Sequence, residues 1–300
     1  MRSIFPSAAA VTLLTIARLT AATGVAAPAQ LDRITIEAAQ KRQALRHRVD
    51  RFVDSVVAQP RGEALYRWSE PVCPLVAGLT RAEGEFVLAR ISQAAADAGA
   101  PLDGTVCRPN LYVVATDSPD LLLERWWARD RRMYAYEHIG IEAVESFIHS
   151  QRPVRVWYNT ILSCGSGALP GPGLSAVLGV DLPDLAPPAC TLANSRLTHS
   201  SIGTSIESAI VIIDERQMKD VTLEQLADYV ALAGLTDLRL DADAIPESSI
   251  LQLFGGASAP PGLSAWDRAL LYSVYNSNQW DTLQPAQMRL TMAQRLTPWP

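Results

Sequence analysis

Residues 227–237, Ala-Asp-Tyr-Val-Ala-Leu-Ala-Gly-Leu-Thr-Asp, lie over the spacing H-E-x-x-H-x-x-G-x-x-H/D. In that pattern one helix offers two histidines to zinc and a glutamate to the metal-bound water, and a glycine turns the chain toward a third ligand. Gly234 and Asp237 occupy their marked places, but Ala227, Asp228 and Ala231 stand where His, Glu and His are required. Alanine offers a metal no lone pair, Asp228 is one methylene short of the general base, and Asp237 alone does not hold a zinc. The residues also explain themselves without a metal. Thr222 and Gln225 form a T-x-x-Q capping box. Leu223, Leu226, Ala227, Val230 and Ala231 share one helical face. Gly234 then falls at the helix stop, where a left-handed residue is wanted, and Asp237 in an exposed turn. The expectation is a helix with no catalytic residue, no metal and no cofactor.

Other chemistry is sparse. The four histidines, His47, His138, His149 and His199, are scattered, and none pairs with another at i, i+4. A hydrolase built from His138, His149 or His199 with a nearby carboxylate is the enzymatic alternative. There is no G-x-S-x-G elbow and no P-loop. Residues 126–136, Trp-Trp-Ala-Arg-Asp-Arg-Arg-Met-Tyr-Ala-Tyr, interleave aromatics with arginines. Such a stretch can stack on sugars or grip anions, so Trp126, Trp127 and Tyr134 are candidates for carbohydrate or envelope contact. The competing and favoured reading is a helix end whose tryptophans pack inward while the arginines reach water.

Four cysteines, Cys73, Cys107, Cys164 and Cys190, show no C-x-x-C spacing. An even count in an exported chain points to two disulfides, and four cysteines allow three connectivities. Cys73–Cys107 with Cys164–Cys190 is preferred, because each pair brackets one local unit. Export is suggested by residues 1–29: a basic start, an apolar run from Ala8 to Ala17, and small-x-small sites at 25–27 and 27–29, the layout of a signal peptide. Removing that segment, which carries Arg2 and Arg18 and no acid, takes the net charge from −5 to −7. An acidic chain lacks the basic face of a nucleic-acid binder. No later stretch has the length and apolarity of a membrane span. The expected location is the periplasm or the medium.

The elements that must position these residues are legible from pattern. An amphipathic helix over 33–58 carries Ile36, Leu45, Val49, Phe52, Val53 and Val56, and Pro60-Arg-Gly62 stops it. Residues 71–78 form a short apolar stretch. Thr80 and Glu83 cap a helix over 81–98 that buries Phe86, Val87, Ile91 and Ala95 and ends at Gly99. A strand over 110–116 and a helix over 120–129 follow. Residues 154–161 read as a strand and 164–206 as a Gly- and Pro-rich loop. The aliphatic run 209–213 reads as a central strand, followed by helices at 223–233, 247–254 and 264–275.

Two stretches beyond the 227–237 helix carry a resemblance: Ser248-Ser-Ile-Leu-Gln-Leu-Phe254 and Gly262-Leu-Ser-Ala-Trp-Asp-Arg-Ala-Leu-Leu-Tyr272. Together they resemble secreted bacterial proteins with a zincin-like C-terminal half, over about 80 residues. Pro71-Val-Cys-Pro and Cys107-Arg-Pro-Asn resemble exported proteins of sphingomonad-type bacteria. The resemblance implies a zinc site that is degenerate at Ala227, Asp228, Ala231 and Asp237. The resulting fold expectation is α+β: a signal peptide (1–29), an N-terminal helix (30–60), a disulfide-linked α/β unit (61–135), and a zincin-like α+β region (150–300) with a central aliphatic strand and several C-terminal helices. The functional expectation is a non-catalytic exported protein with a binding or envelope-structural role. A scattered-residue hydrolase and a carbohydrate-binding module are the alternatives.

Overall fold

A computed structural model describes residues 28–58, 65–104, 106–134, 140–164, 202–240, 244–256, 258–278 and 283–297. Most of the expected signal segment, the Cys164–Cys190 pairing, His138 and His199 lie outside the described residues or side chains. The chain divides into Met1–Arg42 and Gln43–Pro300. In the first unit, residues 28–42 are helical, and Ile36 is 57% exposed.

The architecture is mixed α/β. Seven α-helices are described: α1 (Pro28–Val56), α2 (Arg81–Ala98), α3 (Pro119–Arg129), α4 (Ile141–Ile148), α5 (Leu223–Leu235), α6 (Ala265–Tyr275) and α7 (Gln284–Leu296). Five strands, β1 (Arg67–Trp68), β2 (Pro74–Ala77), β3 (Leu111–Thr116), β4 (Val154–Cys164) and β5 (Ile202–Asp214), make one sheet. β5 pairs parallel with β3 and with the short β1, and β3 pairs parallel with β2. β4 runs antiparallel along β5. Because β4 holds one edge of β5 from Ile202 to Ile213, β1 and β3 lie end to end along its other edge.

β5 is central, as its aliphatic run requires: a strand covered on both faces reads as near-continuous hydrophobic sequence. Ala209, Val211 and Ile213 face one layer, which holds the second half of α1 with α2, α5, α6 and α7. Ile210 and Ile212 face the other, where Leu123 of α3 and Val144, Phe147 and Ile148 of α4 pack around Tyr134 and Trp157. The two apolar clusters are thus the two faces of one sheet, which joins strands from the 61–135 stretch to strands from the 150–300 stretch.

Local signals set several element ends. The Thr80/Glu83 and Thr222/Gln225 capping boxes both form, and Gly99 closes α2 in the left-handed conformation (φ 79°). Cys73 and Cys107 are joined, with Cα atoms 6.0 Å apart. Several expectations need correction. Phe86 is 38% exposed, because the buried face of α2 turns toward Val87, Ile91, Ala94 and Ala95. The 247–254 helix is only a 3-10 turn, Ile250–Phe254, capped by Ser249. α4, α7 and β1 lie outside the elements that the sequence pattern predicts.

Candidate functional site

The 227–237 stretch is core. Every residue of α5 from Leu226 to Leu235 is buried, including Ala227 and Ala231 at 0% exposure. The two places where zinc ligands would stand therefore face packed side chains. Asp228 is buried but fully engaged. Arg90 of α2 donates to both of its oxygens, Nε to Oδ1 at 2.7 Å and Nη2 to Oδ2, and the Leu263 N–H donates to Oδ2 at 2.7 Å. This pair ties α2, α5 and the start of α6 together. It also explains Gly262, where a Cβ would stand 2.6 Å from Asp228 Oδ2.

Two expectations for this stretch are overturned. Gly234 is not a left-handed stop; it lies inside α5, which continues to Leu235. Its missing side chain makes room for Leu111 of β3, whose Cδ atoms would be 3.2 Å from an added Cβ. Asp237 is half-buried rather than exposed, and its backbone N–H donates to Tyr66 O at 3.4 Å. Beside it, burial together with the Asp237 charge raises the Tyr158 hydroxyl well above its ordinary value. That hydroxyl donates toward Ala233 O at 2.5 Å, with Thr236 O at 3.0 Å, so it closes the end of α5. Among the described residues no three His, Cys, Asp or Glu side chains gather as metal ligands.

The described histidines form no site either. His149 lies 4.0 Å from Glu124, and both side chains are more than half exposed on the outer surface of α3 and α4. His47 is exposed on α1. Of the aromatic candidates, Tyr134 is fully buried and its hydroxyl donates to Leu123 O at 3.2 Å; burial pushes its pKa up to about 12. Trp126 and Trp127 are half-buried against the same cluster, and Arg131 lies over the Trp127 ring at 5.0 Å. The inward-packing reading thus accounts for Tyr134.

Polar groups converge instead at a cleft of about 470 Å³, lined by Arg108, Tyr112, Arg132, Met133, Asn159, Glu207, Ser208 and Ile210 among others. Three local structures build it. The first is a β-bulge. Asn159 of β4 faces Ser208, but Thr160 faces Ile206, so Glu207 is an extra residue on β5. Ile206 and Ala209 both belong to the core on the other side of the sheet, although strict alternation would put them on opposite faces. The bulge resolves this by turning Glu207 and Ser208 together into the cleft, a re-aiming that such irregularities commonly perform.

The second is the 3-10 turn Arg131–Tyr134, which carries Arg132. Its carbonyls are held from below: Asn159 Nδ2 donates to Met133 O at 2.7 Å, and Trp157 Nε1 to Tyr134 O at 3.0 Å. Asn159 also donates to Ser208 Oγ at 2.8 Å and accepts from Trp157 Nε1 at 2.9 Å. The floor of the cleft is therefore a polar network whose members are satisfied, the condition under which such a network rigidifies its surroundings.

The third is the segment that enters β3. Cys107 is bonded to Cys73, and Asn110 accepts from the Cys73 N–H at 2.7 Å and donates to Pro71 O at 3.0 Å. Tyr112 donates its hydroxyl to Pro109 O at 2.8 Å. Arg108 is thus pinned on both sides by side-chain and covalent ties. Arg108, Arg132 and Glu207 are exposed, and none of the three forms an ion pair with another described residue.

Of these residues, the sequence pattern had drawn attention only to Arg132 and Met133, within the aromatic–arginine stretch, and to Cys107-Arg-Pro-Asn. Glu207 and Ser208 carry one weak signal, two polar residues directly before the aliphatic run 209–213. Nothing in the sequence says that they face Asn159 or Arg108. Comparison of the chain with protein-family models, with curated proteins and with solved structures gives no match.

Proposed function

We propose that the protein is a non-catalytic, exported binding protein whose ligand is a small molecule with an anionic group, held in the cleft at the β5 bulge. One observation carries this reading. Two guanidinium groups, Arg108 and Arg132, line one cleft beside the Ser208 hydroxyl, on rigidly tied segments, and neither has a carboxylate partner among the described residues. Guanidinium forks match carboxylate and phosphate oxygens, and a site on pre-positioned segments loses little entropy on binding. The cleft volume falls in the roughly 300–1,000 Å³ range of small-ligand sites. The Cys73–Cys107 disulfide supports an oxidising compartment. Ala227 and Ala231, packed in the core, support reading the zincin-like resemblance as one of sequence pattern, in a helix whose ligand positions are filled with apolar side chains.

The test is calorimetric titration of the oxidised protein with acetate, benzoate and inorganic phosphate, alongside an R108A/R132A double variant. Saturable binding by the wild type that the double variant loses is the expected result. Equal behaviour of the two proteins, or no binding of any anion, rejects the reading.

A further inference from the structure

The cleft holds more than an anion site. Opposite charges share it without pairing: Arg108 and Arg132 on two walls and Glu207 on the bulge. An anion alone leaves the Glu207 carboxylate with no counter-charge and adds a second negative group beside it. The bulge is what presents Glu207 and Ser208 here together, since in regular alternation two successive residues turn to opposite faces of the sheet.

The floor adds a third element. Residues on neighbouring strands form one cross-sheet row, Leu75–Tyr112–Ile210–Trp157, set by the register of β2, β3, β5 and β4. Burial along the row is graded. Trp157 and Ile210 are covered at 7% and 2% exposure, Tyr112 is half-buried, and Leu75 is 39% exposed. Tyr112 is therefore the part of the row that emerges into the cleft, with Met133 beside it and Ile210 covered beneath. Apolar area next to fixed polar groups is the usual composition of a small-molecule site, the polar groups setting orientation and the apolar surface supplying most of the affinity.

A ligand that satisfies all three elements carries a carboxylate, a cationic nitrogen and an apolar body on one small frame. We infer that the cleft binds a free apolar α-amino acid. Its carboxylate lies toward Arg108 and Arg132, its ammonium toward Glu207, and its side chain along Tyr112 and Met133. The Ser208 oxygen accepts from Asn159, so its own proton is left to donate to the carboxylate. This inference rests on the anion-binding reading and narrows it to a zwitterion.

The experiment is isothermal titration of the full oxidised chain with three probes that differ by one group. L-Phenylalanine keeps both charges, N-acetyl-L-phenylalanine lacks the ammonium, and L-phenylalaninamide lacks the carboxylate. Phenylalanine is expected to bind about tenfold or more tightly than either relative, the scale of one charge-assisted hydrogen bond. E207Q removes the preference over the N-acetyl compound, and R132A removes the preference over the amide. Melting curves of both variants report whether each remains folded. Equal affinity for phenylalanine and its N-acetyl form, or an unchanged preference in E207Q, overturns the zwitterion inference and leaves the anion reading standing. Binding of phosphate or acetate with none of the three probes bound has the same consequence. If no anion binds either, both readings fall together.

Discussion

Two polar constellations in this molecule look alike by composition and differ in what their charges do. At α5, Asp228 is buried and Arg90 grips it with both nitrogens, while Leu263 N–H takes what remains. At the β5 bulge, Arg108, Arg132 and Glu207 line one cleft and pair with no described residue. The first group is consumed by the fold; the second is held in place by it and left open. A charged residue in a suggestive pattern is therefore weak evidence of function until its partners are known. The stretch with the more suggestive sequence, 227–237, is the one with nothing left to offer a ligand.

The contrast breaks most sharply under mutation. R90A leaves the Asp228 carboxylate buried with only one donor, so it should destabilise the protein by about 3–5 kcal/mol in urea unfolding. D228A should cost less, about 2–3 kcal/mol, because the Arg90 side chain is 30% exposed and can turn to water. Equal costs would mean that the pair is not buried in the asymmetric way described. Next in size is the tie beneath Arg108. Replacing Cys73 and Cys107 together by serine frees a loop spanning a sequence separation of 34, worth about 3–4 kcal/mol in the chain-entropy account. The same variant should bind the cleft ligand more weakly, because Arg108 loses its anchor.

Smaller effects sharpen the comparison further. G234A gains about 1 kcal/mol of helix propensity but crowds Leu111, which is fully buried and has nowhere to retreat. A net loss of about 1 kcal/mol is expected, and a stabilised variant would show that β3 can yield. Asp214, at the end of β5, is held down to about 2 chiefly by hydrogen bonds from Arg216, helped by Gln217. Its folded pKa is below its unfolded value near 3.8. The stability it contributes is therefore present above about pH 4 and lost as the pH falls from 4 toward 2. Arg216 is 62% exposed, so screening limits the contribution to about 1 kcal/mol. Acid unfolding of D214N should lack that component. Last come R108A and R132A, each expected within about 0.5 kcal/mol of wild-type stability while weakening anion binding, which the double variant loses. A large stability loss in either would place these arginines with Asp228, as groups that hold the fold.

Much of the secondary structure was legible because its signals are local. Thr80 with Glu83 and Thr222 with Gln225 are capping boxes that need only four residues each, and both form. The 154–161 and 209–213 runs both lie within strands, though each strand extends further, to Cys164 in β4 and from Ile202 to Asp214 in β5. α7 has no such signal, because its Gln284-Pro-Ala-Gln start lacks a side-chain cap and its buried apolar residues, Met288, Met292 and Ala293, form only a narrow stripe. Gly234 departs from the expected stop for a physical reason. A glycine near a helix end is read as a stop, and only the approach of Leu111 from another element shows that it serves packing.

The sequence by itself determined the helix caps, the aliphatic character of β5, the absence of zinc-ligating histidines at 227 and 231, and the acidic balance of the chain. Each of these is a property of residues within a few positions of one another, or of composition. Tertiary structure decided the mostly parallel pairing of the strands, the partnership of Arg90 with Asp228 across 138 positions, and the bulge that turns Glu207 and Ser208 to one face. It also decided that Arg108 and Arg132 share a cleft. These depend on which segments meet, and the chain's local propensities carry no record of that. The convergence of the candidate site's residues belongs to this second class, because it exists only once the sheet is assembled.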